Sequence, residues 1–325
     1  MRTNTSPVRP VSLSVLSCAY NEEKNISNFL SACLDSKGSN FDLTEVVVVA
    51  SGCTDRTEEI VLSYQKRFPK VRLISQPERG GKDAALVEGL RQVSGDVVLV
   101  ENADTIPAPQ TFDTISAMFR NPELGLVGTH PVPVSDDEAP TYRLSKMMWD
   151  LHDSISVNSL KLGEAYALRT GQDLGLEQFD SDIFLSSLSH AGGVRTRYAR
   201  DAVIWTRPPA TFEELWSQRL RISRQTIRHR KLTGDVPSTW DLSLLLQAMK
   251  NYLREHPREV ILSALAVGFE ASARIVGRLL DAVSRSPLRI WRPILSTKKQ
   301  IPLDPHRNMP HMMEGRHRDL QQARP

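Results

Sequence analysis

Glu45-Val46-Val47-Val48-Val49-Ala50 is the stretch on which the fold is decided. Four consecutive β-branched residues, followed at once by the turn Ser51-Gly52-Cys53-Thr54, read as a short buried strand. Working outward, Ser12–Ala19 has the same character, and a polar turn at Tyr20–Glu23 leads into an amphipathic stretch from Ile26 to Leu34. On the other side a helix runs through Phe68, Val71–Gln76 reads as a strand, Lys82–Val93 as a helix and Asp96–Val100 as a strand. Regular alternation of strand and helix predicts an α/β fold with a mostly parallel sheet covered on both faces. Such sheets bind ligands beyond the carboxyl ends of their strands, so the loops after Ala19, Ala50, Gln76 and Val100 carry the chemistry.

The first of these loops is Tyr20-Asn21-Glu22-Glu23. The second is Ser51-Gly52-Cys53-Thr54-Asp55, where Asp55 can cap the next helix with Glu58 reaching back. The third, Arg79-Gly80-Gly81-Lys82, puts two cations on a glycine turn at a helix start, which suits a diphosphate. The fourth, Glu101-Asn102-Ala103-Asp104-Thr105, offers carboxylates to a hard divalent cation that bridges to phosphate oxygens. Taken singly, each loop has a plainer account: a helix cap for the second, an ordinary turn for the third, a turn cap before Pro107 for Asp104. Their succession on consecutive strand ends is what favours a common site.

Beyond residue 106 the pattern loosens. Thr111–Phe119, Tyr142–Leu160, Asp182–His190 and Phe212–Lys231 read as helices. Gly125–Val134, Glu164–Leu168, Val194–Ala199 and Ala202–Trp205 read as extended.

In order and spacing these loops resemble those of the inverting family-2 glycosyltransferases of the GT-A fold, a Rossmann-like sheet with helices on both faces. The resemblance runs from about Ser12 to Lys231. It implies that Ala19, Asn21, Glu22 and Ser51 contact the nucleotide, with Lys82 in the family's Gly-Lys turn. Asn102-Ala103-Asp104 matches the Asp-x-Asp metal motif, so Asp104 would coordinate Mg²⁺ or Mn²⁺ and Asn102 would lie nearer the ribose. Gly163–Arg169 is similar to the acceptor-side strand. Asp180-Ser181-Asp182 matches the catalytic pair, with Asp182 as general base. Gln218-Arg219-Leu220-Arg221-Ile222 resembles the Gln-x-x-Arg-Trp signature, which places Gln218, Arg219 and Arg221 beside the diphosphate and acceptor along with Arg169. An inverting transfer needs one carboxylate to take the acceptor proton and cations to help the departing nucleoside diphosphate.

The sequence departs from the family at three places. Ala50-Ser51 replaces an acidic pair, Asn102 replaces the first metal-motif aspartate with Glu101 as its candidate substitute, and Ile222 replaces the signature Trp. The expected activity is hexosyl transfer from a nucleotide sugar, a UDP-sugar by preference, to a lipid-linked or saccharide hydroxyl. Two alternatives stay open: a non-catalytic sugar-nucleotide-binding relative, and a nucleotidyltransferase on a similar sheet.

Composition bounds the rest. Cys18, Cys33 and Cys53 lack metal-ligand spacing and read as reduced thiols of a cytosolic protein, and Met1–Pro10 has no apolar leader pattern. Residues 1–206 carry 20 Lys+Arg against 27 Asp+Glu, whereas residues 207–325 carry 21 against 11. A net of −7 followed by +10 points the second part at an anionic partner. No nucleic-acid motif accompanies the charge, so an anionic membrane surface or a phosphorylated acceptor is expected. The organisation read from the sequence is a catalytic domain over residues 10–235, a helical amphipathic extension over 236–301 and a loose tail over 302–325.

In the extension, Val260–Phe269 is uncharged for only 10 residues, short of the roughly 20 needed to span a bilayer. Glu270, Arg274, Arg278 and Asp281 fall on one helical face, opposite Leu265, Phe269, Ser272, Val276, Leu279 and Val283. Such a helix either packs on the catalytic domain or lies in a membrane interface, with the protein peripheral on the inner face of the cell membrane.

Overall fold

The computed structural model describes residues 9–171, 194–283 and 293–302. Among these the strands form one sheet in the order β3-β2-β1-β4-β7-β6-β8-β5. The first four are β1 (Val11–Ala19), β2 (Phe41–Ser51), β3 (Val71–Gln76) and β4 (Val97–Asn102), all parallel. The valine run of β2 is fully buried, as strands covered on both faces require. Helices α1 (Ile26–Asp35), α2 (Thr57–Arg67) and α4 (Thr111–Met118) pack one face through Phe29, Leu30, Val61, Phe112 and Ile115. Helix α3 (Lys82–Leu90) covers the other face with Ala85 and Leu86.

The rest of the sheet is mixed. The strands β5 (Thr105–Pro107), β6 (Leu124–Pro133), β7 (Ala165–Arg169) and β8 (Arg195–Thr206) complete it. β7 runs antiparallel to both β4 and β6, while β6 and β8 are parallel. The two extended stretches expected at Val194–Ala199 and Ala202–Trp205 are one strand. The expected helix over Asp182–His190 and the loose tail, beyond Pro302, fall outside the described residues.

Helices α5 (Pro140–Ser156), α6 (Phe212–Thr233), α7 (Leu242–Glu255) and α8 (Val260–Val283) form a second layer. Its core holds Leu144, Met147, Leu151, Leu215, Ala248 and Ala266. α8 lies close along α6 because its inward face is small: a Cβ on Gly277 would stand 2.7 Å from Ser223 Oγ. On that face Glu270 pairs with Arg219 at 2.8 Å and Arg274 at 2.9 Å, Lys231 pairs with Asp281, and Trp216 Nε1 donates to Ser272 Oγ at 3.2 Å. The charged side of this amphipathic helix therefore faces the protein. Ile261, Leu265, Ile275, Leu279 and Val283 are 55–85% exposed on the outside. The expectation that this segment is too short to span does not hold on length and composition, since Pro257–Val283 is continuous over 27 residues and apolar enough to cross a membrane. Of the charges that interrupt the apolar run, Glu270 and Asp281 are docked on α6, and Arg274 and Arg278 lie by the Trp240 ring.

Candidate active site

Strand register brings the polar loops together. Ala19 pairs with Ala50, Ser51 with Gln76 and Cys18 with Asn102, so the four strand ends stop in line along one edge of the sheet. A cavity of about 680 Å³ opens there, between that edge and helices α5, α6, α7 and α8.

Asn21 sits in the left-handed region at φ 55°, a conformation that asparagine tolerates better than most residues. Its side chain braces the second loop, accepting from Thr54 N–H at 2.8 Å and donating to Thr54 Oγ1 at 3.1 Å. Ala19, Tyr20 and Glu22 line the cavity, and Asn21 is not among the residues that line it. Glu22 is buried; its N–H donates to Thr57 Oγ1 at 2.7 Å and its carboxylate accepts from Lys298 and from Asn25 at 3.3 Å. Burial first, then the charge of Asp104, pushes Glu22 up to about 7 against the pull of Lys298.

In the second loop Ser51 Oγ accepts from Gly80 N–H at 3.1 Å, tying the second loop to the third. Gly52 is required: its φ is +64°, and a Cβ would stand 2.5 Å from Arg79 N. The expected capping box does not form. Asp55 accepts from Thr57 N–H at 3.0 Å and Glu23 N–H at 3.1 Å, but Glu58 accepts from Ser75 Oγ at 2.9 Å instead of reaching back.

The third loop stacks the Arg79 guanidinium 3.9 Å from the centroid of the Tyr20 ring. Gly81, at φ 92°, precedes Lys82, the first residue of α3, and both line the cavity. A lysine on a helix N-terminus facing a cavity suits an anionic oxygen.

In the fourth loop Asp104 and Asn102 line the cavity, and Asn102 Nδ2 donates to Glu164 Oε2 at 2.6 Å. Glu101 does not take the place expected for it. It lies on the opposite face of β4, 1% exposed, accepting from Thr105 Oγ1 at 3.0 Å, and burial pushes it up to about 8. The carboxylates that share the cavity with Asp104 are Glu22, Asp83 and Glu164 on the side of the sheet edge and Glu270 on α8.

α6 supplies the far wall. Its N-cap Thr211 accepts from Glu214 N–H at 3.1 Å, and Gln218, Arg219 and Arg221 line the cavity as expected. Arg219 is bound to Glu270; burial works to raise that carboxyl, but Arg219 and Arg274 hold it down at about 2. Arg169 is not brought to the site. Pairing of β7 with β4 places it opposite Val97, at the other edge, where its guanidinium donates to the carbonyls of Leu124, Phe119 and Asn121 at 2.9–3.1 Å. Asp180 and Asp182 lie outside the described residues.

Two cavity residues carry no sequence signal that singles them out. Trp240 lies under the Arg274 guanidinium, 4.5 Å from its ring centroid, in a stretch without a motif. Lys298 reaches the first loop from the far end of the chain, and in sequence it is only one of a basic run.

The arrangement tests well for a divalent cation bound jointly with a phosphate. Among the described residues no group of three or more His, Cys, Asp or Glu could hold a metal alone. Asp104, with Glu22 and Glu164 nearby, supplies the one or two carboxylates that Mg²⁺-type ions take when phosphate oxygens and water complete the shell.

Comparison with known proteins follows this geometry. The chain is 36% identical over 117 residues to a dolichyl-phosphate beta-glucosyltransferase ALG5A of Trichomonas vaginalis, covering 34% of this chain and 36% of the relative. It is 26% identical over 242 residues to the poly-beta-1,6-N-acetyl-D-glucosamine synthase of Staphylococcus epidermidis, covering 70% of this chain and 57% of the relative. The chain therefore spans between about a third and three fifths of the length of these relatives. A mannosyltransferase from Pyrobaculum calidifontis, solved with GDP-Man and Mn²⁺, shares the GT-A fold at TM-score 0.58 and 20% identity, over 86% of this chain and 89% of its own. The profile of glycosyl transferase family 2 matches residues 14–184, from β1 to beyond β7 and just over half of the chain. All four cavity loops fall inside that match, and the chain belongs to glycosyl transferase family 2.

Proposed function

We propose that the protein transfers a hexose, with inversion, from a nucleotide sugar to a lipid-linked or saccharide hydroxyl. The observation that carries this is the in-register convergence of four loops on one cavity, lined by carboxylates and cations together. Relatives named as glucosyl- and N-acetylglucosamine-transferring enzymes support the class. A UDP-sugar is the donor favoured by the family resemblance, and the GDP-Man bound by the mannosyltransferase is the competing nucleotide to test.

In this reading the nucleoside lies against Ala19, Tyr20, Glu22 and Ser51, with Asn102 toward the ribose. Asp104 would hold Mg²⁺ or Mn²⁺, which when bound supplies charge neutralisation at the diphosphate. Lys82 and Arg79 add positive charge at the departing diphosphate, where stabilisation counts most in the transition state. Gln218, Arg219 and Arg221 form the wall toward the acceptor. Asp182, assigned by its motif with Asp180 beside it, takes the acceptor hydroxyl proton during attack on the anomeric carbon.

The outward face of the second layer supports a place at an anionic membrane, on its cytoplasmic side. Leu242 and Leu246 of α7 are 67% and 60% exposed beside the apolar flank of α8, an arrangement suited to burial in a headgroup boundary. Polysaccharide or lipid-linked sugar assembly at that surface accords with the names of the relatives.

The test is a thermal-melt panel of UDP- and GDP-sugars with and without Mn²⁺, followed by measurement of nucleoside diphosphate release. Metal-dependent stabilisation with release is the expected result. Stabilisation without release in the presence of candidate acceptors favours a non-catalytic sugar-nucleotide-binding relative. Pyrophosphate formed from a nucleoside triphosphate favours the nucleotidyltransferase.

A further inference from the structure

Residues 293–302 return from the far end of the chain and lie as a strap across the mouth of the cavity. The strap is fixed by its own contacts. Ser296 Oγ accepts from Ala210 N–H at 2.9 Å, and Ser296 N–H donates to Glu214 at 3.1 Å. Arg207 donates to the Gln300 carbonyl at 2.6 Å, and Ile301, 3% exposed, packs with Ile106, Val134 and Trp205. Thus anchored on both sides, it points Lys298 inward. The Lys298 ammonium donates to the Tyr20 carbonyl at 2.6 Å and to the Glu22 carboxylate, and stands 5.9 Å from the Tyr20 ring centroid. Its side chain is only 17% exposed, and Thr297 and Lys298 line the same cavity as Lys82 and Asp104.

An ammonium taken this far from water loses hydration and needs fixed acceptors in return. Here both acceptors belong to the loop after β1, and the ammonium reaches them from a segment 276 residues beyond Glu22 in sequence. None of the anchoring contacts of the strap involves Lys298, so this side chain is free of the task of holding the strap down. What it does hold is the first loop: the carbonyl of Tyr20, whose ring carries Arg79, and the carboxylate of Glu22, which shares the cavity with Asp104.

We infer that the strap is a wall of the donor site and that Lys298 is a positioning residue, fixing Tyr20 and Glu22 in the geometry against which the nucleoside diphosphate seats. The inference rests on the reading of the cavity as a nucleotide-sugar site. Lys298 also adds a third cation to a wall that already carries Arg79 and Lys82, which favours a diphosphate electrostatically.

Titration calorimetry of the full chain with UDP–Mn²⁺ and with GDP–Mn²⁺ tests it, alongside Lys298→Met, Lys298→Arg, Glu22→Gln and the double variant Lys298→Met/Glu22→Gln. Lys298→Met should weaken whichever nucleotide the parent binds by tenfold or more, with a melting temperature close to the parent's. Lys298→Arg, which keeps the charge, should recover most of the affinity. The double variant should bind little worse than Lys298→Met, because the two side chains act as one unit. Parent-like affinity in Lys298→Met, or losses that simply add in the double variant, would overturn the role of Lys298 and leave the donor site standing. A parent that binds neither nucleotide would overturn both readings. A lost melting transition in Lys298→Met with no recovery in Lys298→Arg would make the contact structural and also overturn the inference.

Discussion

The two layers of this molecule use charge in opposite ways. At the strand ends, carboxylates and cations are gathered at the rim of a cavity, where Glu22 is pushed up to about 7 by burial and by Asp104. On the far wall of the same cavity, between α6 and α8, charge is paired within the protein: Glu270 lies between Arg219 and Arg274 and is held at about 2. The first arrangement brings both signs to an open cavity, Glu22, Asp83, Asp104 and Glu164 beside Arg79, Lys82 and Lys298, as suits a cation bound with an anionic ligand. In the second, one carboxylate serves two guanidiniums and Lys231 meets Asp281, while Ile261, Leu265, Ile275, Leu279 and Val283 lie outside. The difference teaches that what a cluster of charge does depends on what it faces, a property of geometry rather than composition.

The largest effects should come from breaking the cavity. Asp104→Asn should lower transfer by about 10²–10³-fold and remove Mn²⁺-dependent nucleotide binding. Asp182→Asn should lower transfer by about 10²–10⁴-fold while donor affinity, measured by calorimetry, stays near the parent's, because removing a base acts on the transition state. Lost donor binding in Asp182→Asn would move that residue to the nucleotide.

Breaking the inward charge should cost stability first. Glu270→Gln leaves Arg219 and Arg274 short of a carboxylate and should destabilise the fold by about 3 kcal/mol in denaturant melts. The sign of the pH dependence follows from the lowered pKa. The pairing contributes fully above the ordinary carboxyl value of 4.5 and is lost as pH falls toward about 2. Over that acid window the parent should lose stability more steeply than Glu270→Gln.

Arg169 sharpens the contrast from the far edge. Arg169→Met removes the donor to three carbonyls and should cost about 2 kcal/mol while nucleotide affinity is unchanged. Altered nucleotide affinity in this variant would return Arg169 to the site.

The smallest effect on stability is expected on the outward face. Ile261→Glu with Leu265→Glu should change stability by less than about 0.5 kcal/mol, since both side chains are more than half exposed. Sedimentation with anionic vesicles should nevertheless fall, and the parent's binding should weaken as salt rises. Equal, salt-independent partitioning of parent and variant would remove the membrane assignment.

How much of this could be read beforehand follows the same division. The valine run of β2 and its neighbours specify a parallel sheet locally, and parallel strands must end together, so the loops at Glu22, Ser51, Lys82 and Asp104 could be placed from spacing alone. Roles inside the loops were less legible. Whether Asn21 faces the nucleotide or Thr54, and which face of β4 Glu101 takes, depends on a backbone angle and on strand parity. For Arg169, reading the strand gave the residue but not the antiparallel direction that carries it to the wrong edge. On α8 the periodicity separated the faces only in part, since Phe269 and Ser272, read as opposite Glu270, pack inward with it, and period alone does not say which face is inward. That required Arg219, Lys231 and Trp216 on a helix more than forty residues earlier. Lys298 was out of reach, because nothing local distinguishes a lysine that will cross the molecule.

That crossing has a consequence for synthesis. Glu22 is translated 276 residues before Lys298, so the first loop leaves the ribosome long before its partner exists. At roughly 5–20 residues per second the interval is about 15–55 s. Strands β1 to β4 can pair in that time with the buried Glu22 carboxyl still lacking its cation. The mouth of the cavity is therefore completed after the sheet edge it faces, and a nascent chain passes through a stage that has strands β1 to β4 without the finished pocket.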